Sequence, residues 1–137
     1  MNKIIVPARA ENVRKVLDFI TEKLKQLKYS KRALLQLELS VEEAFVNIVN
    51  YAYENHDGEV LISCSIDETS LQVTIQFIDT GIQYNPLEKE DPDISLNIQE
   101  KEVGGLGILL IKNNVDSIRY EYKNGKNILT LQKKLNE

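Results

Sequence analysis

The stretch VEEAFVNIVNYAYE, residues 41–54, decides how this chain is read. Val41, Ala44, Phe45, Ile48, Val49 and Ala52 recur at three- and four-residue spacing, the apolar stripe of a helix packed on a core. Glu43, Asn47 and Asn50 fall one turn apart along the edge of that stripe, all on one face. Asparagine favours caps and turns over helix interiors, so a carboxylate and two amides in a row need a reason. For Asn50 a solvated rim is reason enough. Glu43 and Asn47 allow more. A glutamate can act as general base towards a hydroxyl or water, and an amide oxygen one turn on suits Mg²⁺. On a rigid helix the pair suits phosphoryl transfer, where catalysis is mostly positioning.

The pattern extends outward in both directions. Ser30 is a good N-cap for a helix over residues 31–54, and Asn55-His56-Asp57-Gly58 breaks it. Before it, residues 10–27 carry Val13, Val16, Leu17, Ile20, Leu24 and Leu27 at helical spacing, and residues 3–6 form a short edge strand ending at Pro7. After it the period changes to two. Val60, Ile62, Cys64 and Ile66 alternate with Leu61, Ser63 and Ser65, and then Leu71, Val73, Ile75 and Phe77 alternate with Gln72, Thr74 and Gln76. Such alternation predicts a sheet with one face on the core and one in water. Residues 117–123 and 127–134 form a hairpin around Asn124-Gly125.

Two glycine-bearing segments interrupt the regular elements. Ile78-Asp79-Thr80-Gly81 ends the second strand of the alternating pair. Aspartate then glycine at a strand end is either a turn or a carboxylate that accepts a hydrogen bond from an amino group, with Gly81 letting the backbone approach a ring. Residues 84–103 are polar and acidic, hold Pro86 and Pro92, and lack glycine. A loop that long inside a compact domain is often a lid. Gly104-Gly105-Leu106-Gly107 opens a short apolar helix over residues 108–114. Glycines before a helix are commonly just a turn, and they also expose N–H groups where phosphate binds. The P-loop pattern and G-x-G-x-x-G are both absent.

At 137 residues the chain is expected to be one domain over residues 1–137. A net charge of −4 with scattered basic residues argues against nucleic acid as a direct partner. Cys64 is the single cysteine, so no internal disulfide forms, and the simplest setting is the reducing cytoplasm. No segment approaches the roughly 20 apolar residues that span a membrane, and the N-terminus lacks the apolar run of a signal peptide. With one histidine, His56, in a turn, zinc sites and serine–histidine or cysteine–histidine triads are effectively excluded.

Taken in order, E-x-x-x-N on a helix, two strands, D-x-G, a polar loop and a glycine cluster opening a helix resemble the GHKL ATPases. Within that superfamily the chain looks most like the small bacterial anti-sigma factor serine/threonine-protein kinases. LELSVEEAFVNIVNYAYE resembles their N box, FIDTGIQYNP their first glycine box, and GGLGILLIKNNVDSIRYEYKNGKNILTLQKKL their second glycine box and closing hairpin. The likeness covers nearly the whole chain. It departs at Gln83, where many relatives have a glycine, and in the acidic lid, whose cations are Lys89 and Lys101.

The resemblance implies a two-layer α/β (α+β) sandwich of the Bergerat, histidine kinase-like ATPase type. Its sheet would be mixed and mostly antiparallel, with the helices on one face. The resemblance also implies ATP and Mg²⁺ as cofactors. Glu43 would be the general base and Asn47 the Mg²⁺ ligand. Asp79 would hold the adenine amino group, Gly81 would shape that pocket, and Gly104, Gly105, Leu106 and Gly107 would wrap the phosphates. The implied activity is that of an ATP-dependent protein-serine kinase and partner switch. Such a kinase sequesters a sigma factor and phosphorylates an anti-sigma factor antagonist. Family members often dimerise, which leaves a homodimer open. The alternative is a non-catalytic module that binds ATP and switches partners by nucleotide state. A histidine kinase fragment fits less well, since no helix bearing a phosphoacceptor histidine precedes the domain.

Overall fold

A computed structural model of the protein describes residues 2–88 and 105–136. Among the described residues, five strands form one sheet: β1 (Lys3–Pro7), β2 (Glu59–Asp67), β3 (Gln72–Asp79), β4 (Ser117–Lys123) and β5 (Lys126–Lys134). Their order is β1-β2-β3-β5-β4. The sequence predicts a mixed, mostly antiparallel sheet, and every pairing among the described strands is antiparallel. The helices are α1 (Val13–Leu24), α2 (Lys31–Asn47) and α3 (Gly105–Asn114).

The register places alternate residues on one buried face. Val60, Ile62 and Cys64 of β2, Val73, Ile75 and Phe77 of β3, and Leu129 and Leu131 of β5 are all buried. They meet Val16, Ile20 and Leu24 of α1, Leu37, Val41, Ala44 and Phe45 of α2, and Ile108 and Ile111 of α3 in one core. Each fully buried Leu, Ile, Val or Phe stabilises the fold by about 1.5–3 kcal/mol. The other face carries Ser63, Thr74, Gln76 and Gln132, as two-period alternation requires. Among the described residues, no helix is long and apolar enough to cross a membrane.

Local chemistry sets the element ends. Ser30 caps α2, its Oγ accepting from the Ala33 N–H at 3.2 Å, an interaction worth about 1 kcal/mol. Asn124 and Gly125 take positive φ, at 54° and 75°, the conformation of a two-residue hairpin turn. Several element ends differ from the sequence reading: the helix expected over residues 10–27 is a 3₁₀ turn, Ala10–Asn12, followed by α1 to Leu24, and the helix expected over residues 108–114 already begins at Gly105. Leu71 stands at φ 56° in the turn and β3 begins at Gln72. Here the Asp67 carboxylate accepts from the N–H groups of Thr69 and Ser70 and tightens the turn before the strand starts. The helix predicted over residues 31–54 is α-helical only to Asn47, then widens into a π-turn, Ile48–Ala52. Such turns are frequent at functional sites.

Candidate functional site

α2 and its π-turn form one wall of the site. Asn47 is 3% exposed. Its Nδ2 donates to the Glu43 carbonyl one turn back at 2.9 Å, which directs Oδ1 away from the helix backbone. Among the described residues, that buried Oδ1 has no hydrogen-bond partner. A buried amide oxygen without a donor is costly, and a hard cation is one ligand that would satisfy it. The donor set therefore fits Mg²⁺ at this position.

Glu43 lies beside it, against the first turn of α3. A Cβ built on Gly107 would sit 2.6 Å from Glu43 Oε2 and 3.4 Å from Asn47 Nδ2. Only a glycine leaves both side chains where they are. Burial, and then the charge of Glu42, hold the Glu43 carboxyl above the usual glutamate range. A raised carboxyl is a better proton acceptor once ionised. Gly105 and Leu106 lie in the same first turn of α3, whereas Gly104 and most of the expected lid, residues 89–103, fall outside the described residues.

Asp79 ends β3 on the buried face, 3% exposed. Its Oδ1 accepts from the Gly81 N–H at 2.9 Å and from Asn127 Nδ2 at 2.8 Å. Burial raises its carboxyl above the usual range, and these two donors oppose the rise. Gly81 presses on the end of the helix. A Cβ there would lie 2.4 Å from the Ala52 carbonyl oxygen, and the next N–H, of Ile82, donates to that same oxygen at 2.8 Å.

Asn47 and Asp79 line one hollow, with Ala44, Tyr84, Tyr120 and Asn127. Glu43 and Asn47 thus lie against Gly107, Asp79 is bonded to Gly81, and Asn47 and Asp79 share the hollow. The hollow itself measures about 20 Å³, room for about one water. Tyr84 and Pro86 help to close it, with the Tyr84 ring stacked on Tyr51 at 5.2 Å between centroids. That volume is too small for a purine.

Three residues of the site went unread in the sequence. Asn127 bridges Asp79 to the following loop, Tyr120 donates from its hydroxyl to Asn127 Oδ1, and Tyr84 roofs the hollow. One signal existed. Asn127 shares strand parity with Leu129 and Leu131, so it had to point into the core, where an amide needs partners.

A family described as the histidine kinase-like ATPase domain matches residues 6–133. The chain is similar to an anti-sigma F factor of Clostridium acetobutylicum, 30% identical over 72% of this chain and 67% of that protein. It is 27% identical to the serine/threonine-protein kinase BtrW of Bordetella bronchiseptica, over 76% of this chain and 72% of that one. The serine-protein kinase RsbW of Listeria monocytogenes is 28% identical over 80% of this chain and 71% of its own length. Among solved structures, the RsbU and RsbW domains of a Mycobacterium tuberculosis protein share the fold at a TM-score of 0.64 and 16% identity. That match covers 98% of this chain, which spans about a third (33%) of the larger structure. The family match spans most of the chain, and the chain belongs to the histidine kinase-like ATPase domain family.

Proposed function

We propose that this protein is an ATP-dependent protein-serine kinase that sequesters a sigma factor and phosphorylates an anti-sigma factor antagonist, switching partners as it does so. The observation that carries the proposal is the pair on α2. A buried Asn47 oxygen lacks a donor among the described residues, and a carboxylate with a raised proton affinity lies one turn away. The relatives' names supply the substrate class.

Asp79 accepts a hydrogen bond from the adenine amino group, and Gly81 keeps that wall flat. Gly105 and Gly107 leave room for phosphate at the start of α3, where N–H groups and the helix dipole favour anions. Asn47 holds Mg²⁺, which when bound neutralises phosphate charge. Glu43 takes the proton from the substrate serine as its oxygen attacks the γ-phosphorus. The bond from that phosphorus to the β-phosphate oxygen breaks, leaving ADP and phosphoserine. The setting is the reducing cytoplasm, where a lone cysteine stays a thiol. A homodimer belongs to the same proposal. Ile5, Leu61, Ile78 and Ile128 form one apolar row across the open face of the sheet, and sedimentation equilibrium tests whether a second copy covers it.

Labelled ATP with the antagonist protein tests the activity. Phosphoserine on the antagonist is expected, and Glu43→Gln should abolish it while ATP still binds. ATP binding with no phosphoserine from the unaltered protein rejects the kinase and leaves the non-catalytic switch. No rise in melting midpoint with Mg-ATP rejects both.

A further inference from the structure

Residues 80–85, between β3 and a short 3₁₀ turn at Pro86–Glu88, belong to no helix or strand. Four of their backbone N–H groups, those of Thr80, Gly81, Ile82 and Tyr84, nonetheless find acceptors. The Thr80 N–H donates to the Tyr53 hydroxyl at 3.0 Å, the Gly81 N–H to Asp79 Oδ1 at 2.9 Å, and the Ile82 N–H to the Ala52 carbonyl at 2.8 Å. The Tyr84 N–H donates to Asn127 Oδ1 at 3.0 Å. Two of these four acceptors are buried side chains from other elements, Tyr53 at the end of the π-turn and Asn127 on β5.

Each of the two is itself held. The Tyr53 hydroxyl donates to the Glu59 carbonyl at 2.6 Å. Its ring fills the space beside Gly58, where a Cβ would come within 2.3 Å of Cε1. The Asn127 amide is fully used. Nδ2 donates to Asp79 Oδ1 and to the Ile82 carbonyl, each at 2.8 Å, and Oδ1 accepts from the Tyr84 N–H and the Tyr120 hydroxyl. Tyr53 thus ties the segment to the helix that carries Glu43 and Asn47, and Asn127 ties it to the neighbouring strand. Among the described residues, Asp79 Oδ1 receives both hydrogen bonds of that carboxylate and Oδ2 receives none.

We infer that Tyr53 and Asn127 are positioning residues that set which base this site accepts. They clamp the Asp79–Tyr84 wall from opposite sides and commit Asp79 Oδ1 to the protein's own donors. Oδ2 is left, at a fixed place, to read an exocyclic amino group. The inference rests on the ATP-binding reading above. A site built around a substrate N–H discriminates strongly against an analogue that lacks it, and that discrimination decays when the reading atom is loosely held. The base specificity of the pocket therefore depends on two side chains beyond Asp79 itself.

The test compares ATP with ITP, which carries a carbonyl where adenine has its amino group. Dissociation constants for both are measured by calorimetry at 20 °C on the full chain, for the parent, Tyr53→Phe and Asn127→Ser. The parent should prefer ATP. Tyr53→Phe keeps the ring but removes the acceptor of the Thr80 N–H, and it should weaken ATP about tenfold. ITP should weaken much less, so the ATP-to-ITP ratio should fall towards one. A purely structural role would move the melting midpoint and leave the ratio alone. If Asn127→Ser does not fold at 20 °C, Tyr53→Phe carries the test. A parent that prefers ATP and a folded Tyr53→Phe with the parental ratio overturn this inference alone. A parent that binds neither nucleotide overturns the ATP reading and this inference together.

Discussion

Gly107→Ala would place a methyl group 2.6 Å from Glu43 Oε2 and 3.4 Å from Asn47 Nδ2. An ordinary carbon–oxygen contact begins near 3.4 Å, so the carboxylate must retreat by about 0.8 Å. A carboxylate at the end of a flexible side chain can do that with little cost to the fold. Alanine also stabilises a helix interior by up to ~1 kcal/mol over glycine. Catalysis does not share this tolerance, because a misplacement of about 1 Å in a reacting group can cost roughly a hundredfold in rate. Gly81→Ala is the contrast. Its methyl group would lie 2.4 Å from the Ala52 carbonyl oxygen and 2.7 Å from the carbonyl carbon, which are backbone atoms that cannot rotate aside. Relief there breaks the bond from the Ile82 N–H to that oxygen and should cost about 1–3 kcal/mol, or roughly 3–10 °C in melting midpoint. The assay pairs thermal melts at pH 7 with initial rates of labelled phosphate transfer at saturating ATP. Gly107→Ala should melt within about 2 °C of the parent and transfer roughly 100-fold more slowly. A Gly107→Ala protein with parental transfer, or one destabilised as much as Gly81→Ala, would refute the placement of Glu43 against α3.

The Glu43 carboxyl is raised chiefly by burial and secondarily by Glu42, so the transfer rate should fall on acidification at a higher pH than an ordinary glutamate would set. Glu42→Gln should move that limb to lower pH, and an unmoved limb would discount either the base or its neighbour's influence. Asp79 is also raised in the folded state, which means the fold binds its proton more tightly than the unfolded chain does. Its contribution to stability therefore declines as pH rises from the unfolded value through the folded one. Asp79→Asn keeps an acceptor oxygen for Gly81 and Asn127, so at pH 7 it should melt at or above the parent midpoint while losing the Mg-ATP-induced rise. A large fall in that midpoint would show that the charge stabilises the fold. Burial pushes the Cys64 thiol up to about 11, against an opposing effect of Lys23, so iodoacetamide at pH 8 should label the native protein far more slowly than the unfolded chain. Labelling at the rate of a free thiol would contradict its burial.

Local periodicity carried most of the architecture. Stripes at three- and four-residue spacing placed α1 and α2, two-residue alternation placed β2 and β3, and Asn124-Gly125 placed the closing hairpin. These signals are legible because each helix and half-buried strand repeats its own exposure pattern along the chain. The resemblance then assigned Glu43, Asn47, Asp79 and Gly107 to one site. The π-turn at Ile48–Ala52 and the Tyr53–Thr80 bond across 27 positions left no such trace, and strand parity marks Asn127 as buried without naming Asp79, 48 positions away, as its partner. A hydrogen bond between distant segments depends on sheet order and on the docking angle of a helix, and no window of sequence contains either. The closeness of Gly107 to Glu43 and the small volume of the hollow belong to tertiary packing as well. Volume is set by every wall of a cavity at once, and those walls come from segments that meet only in the folded chain.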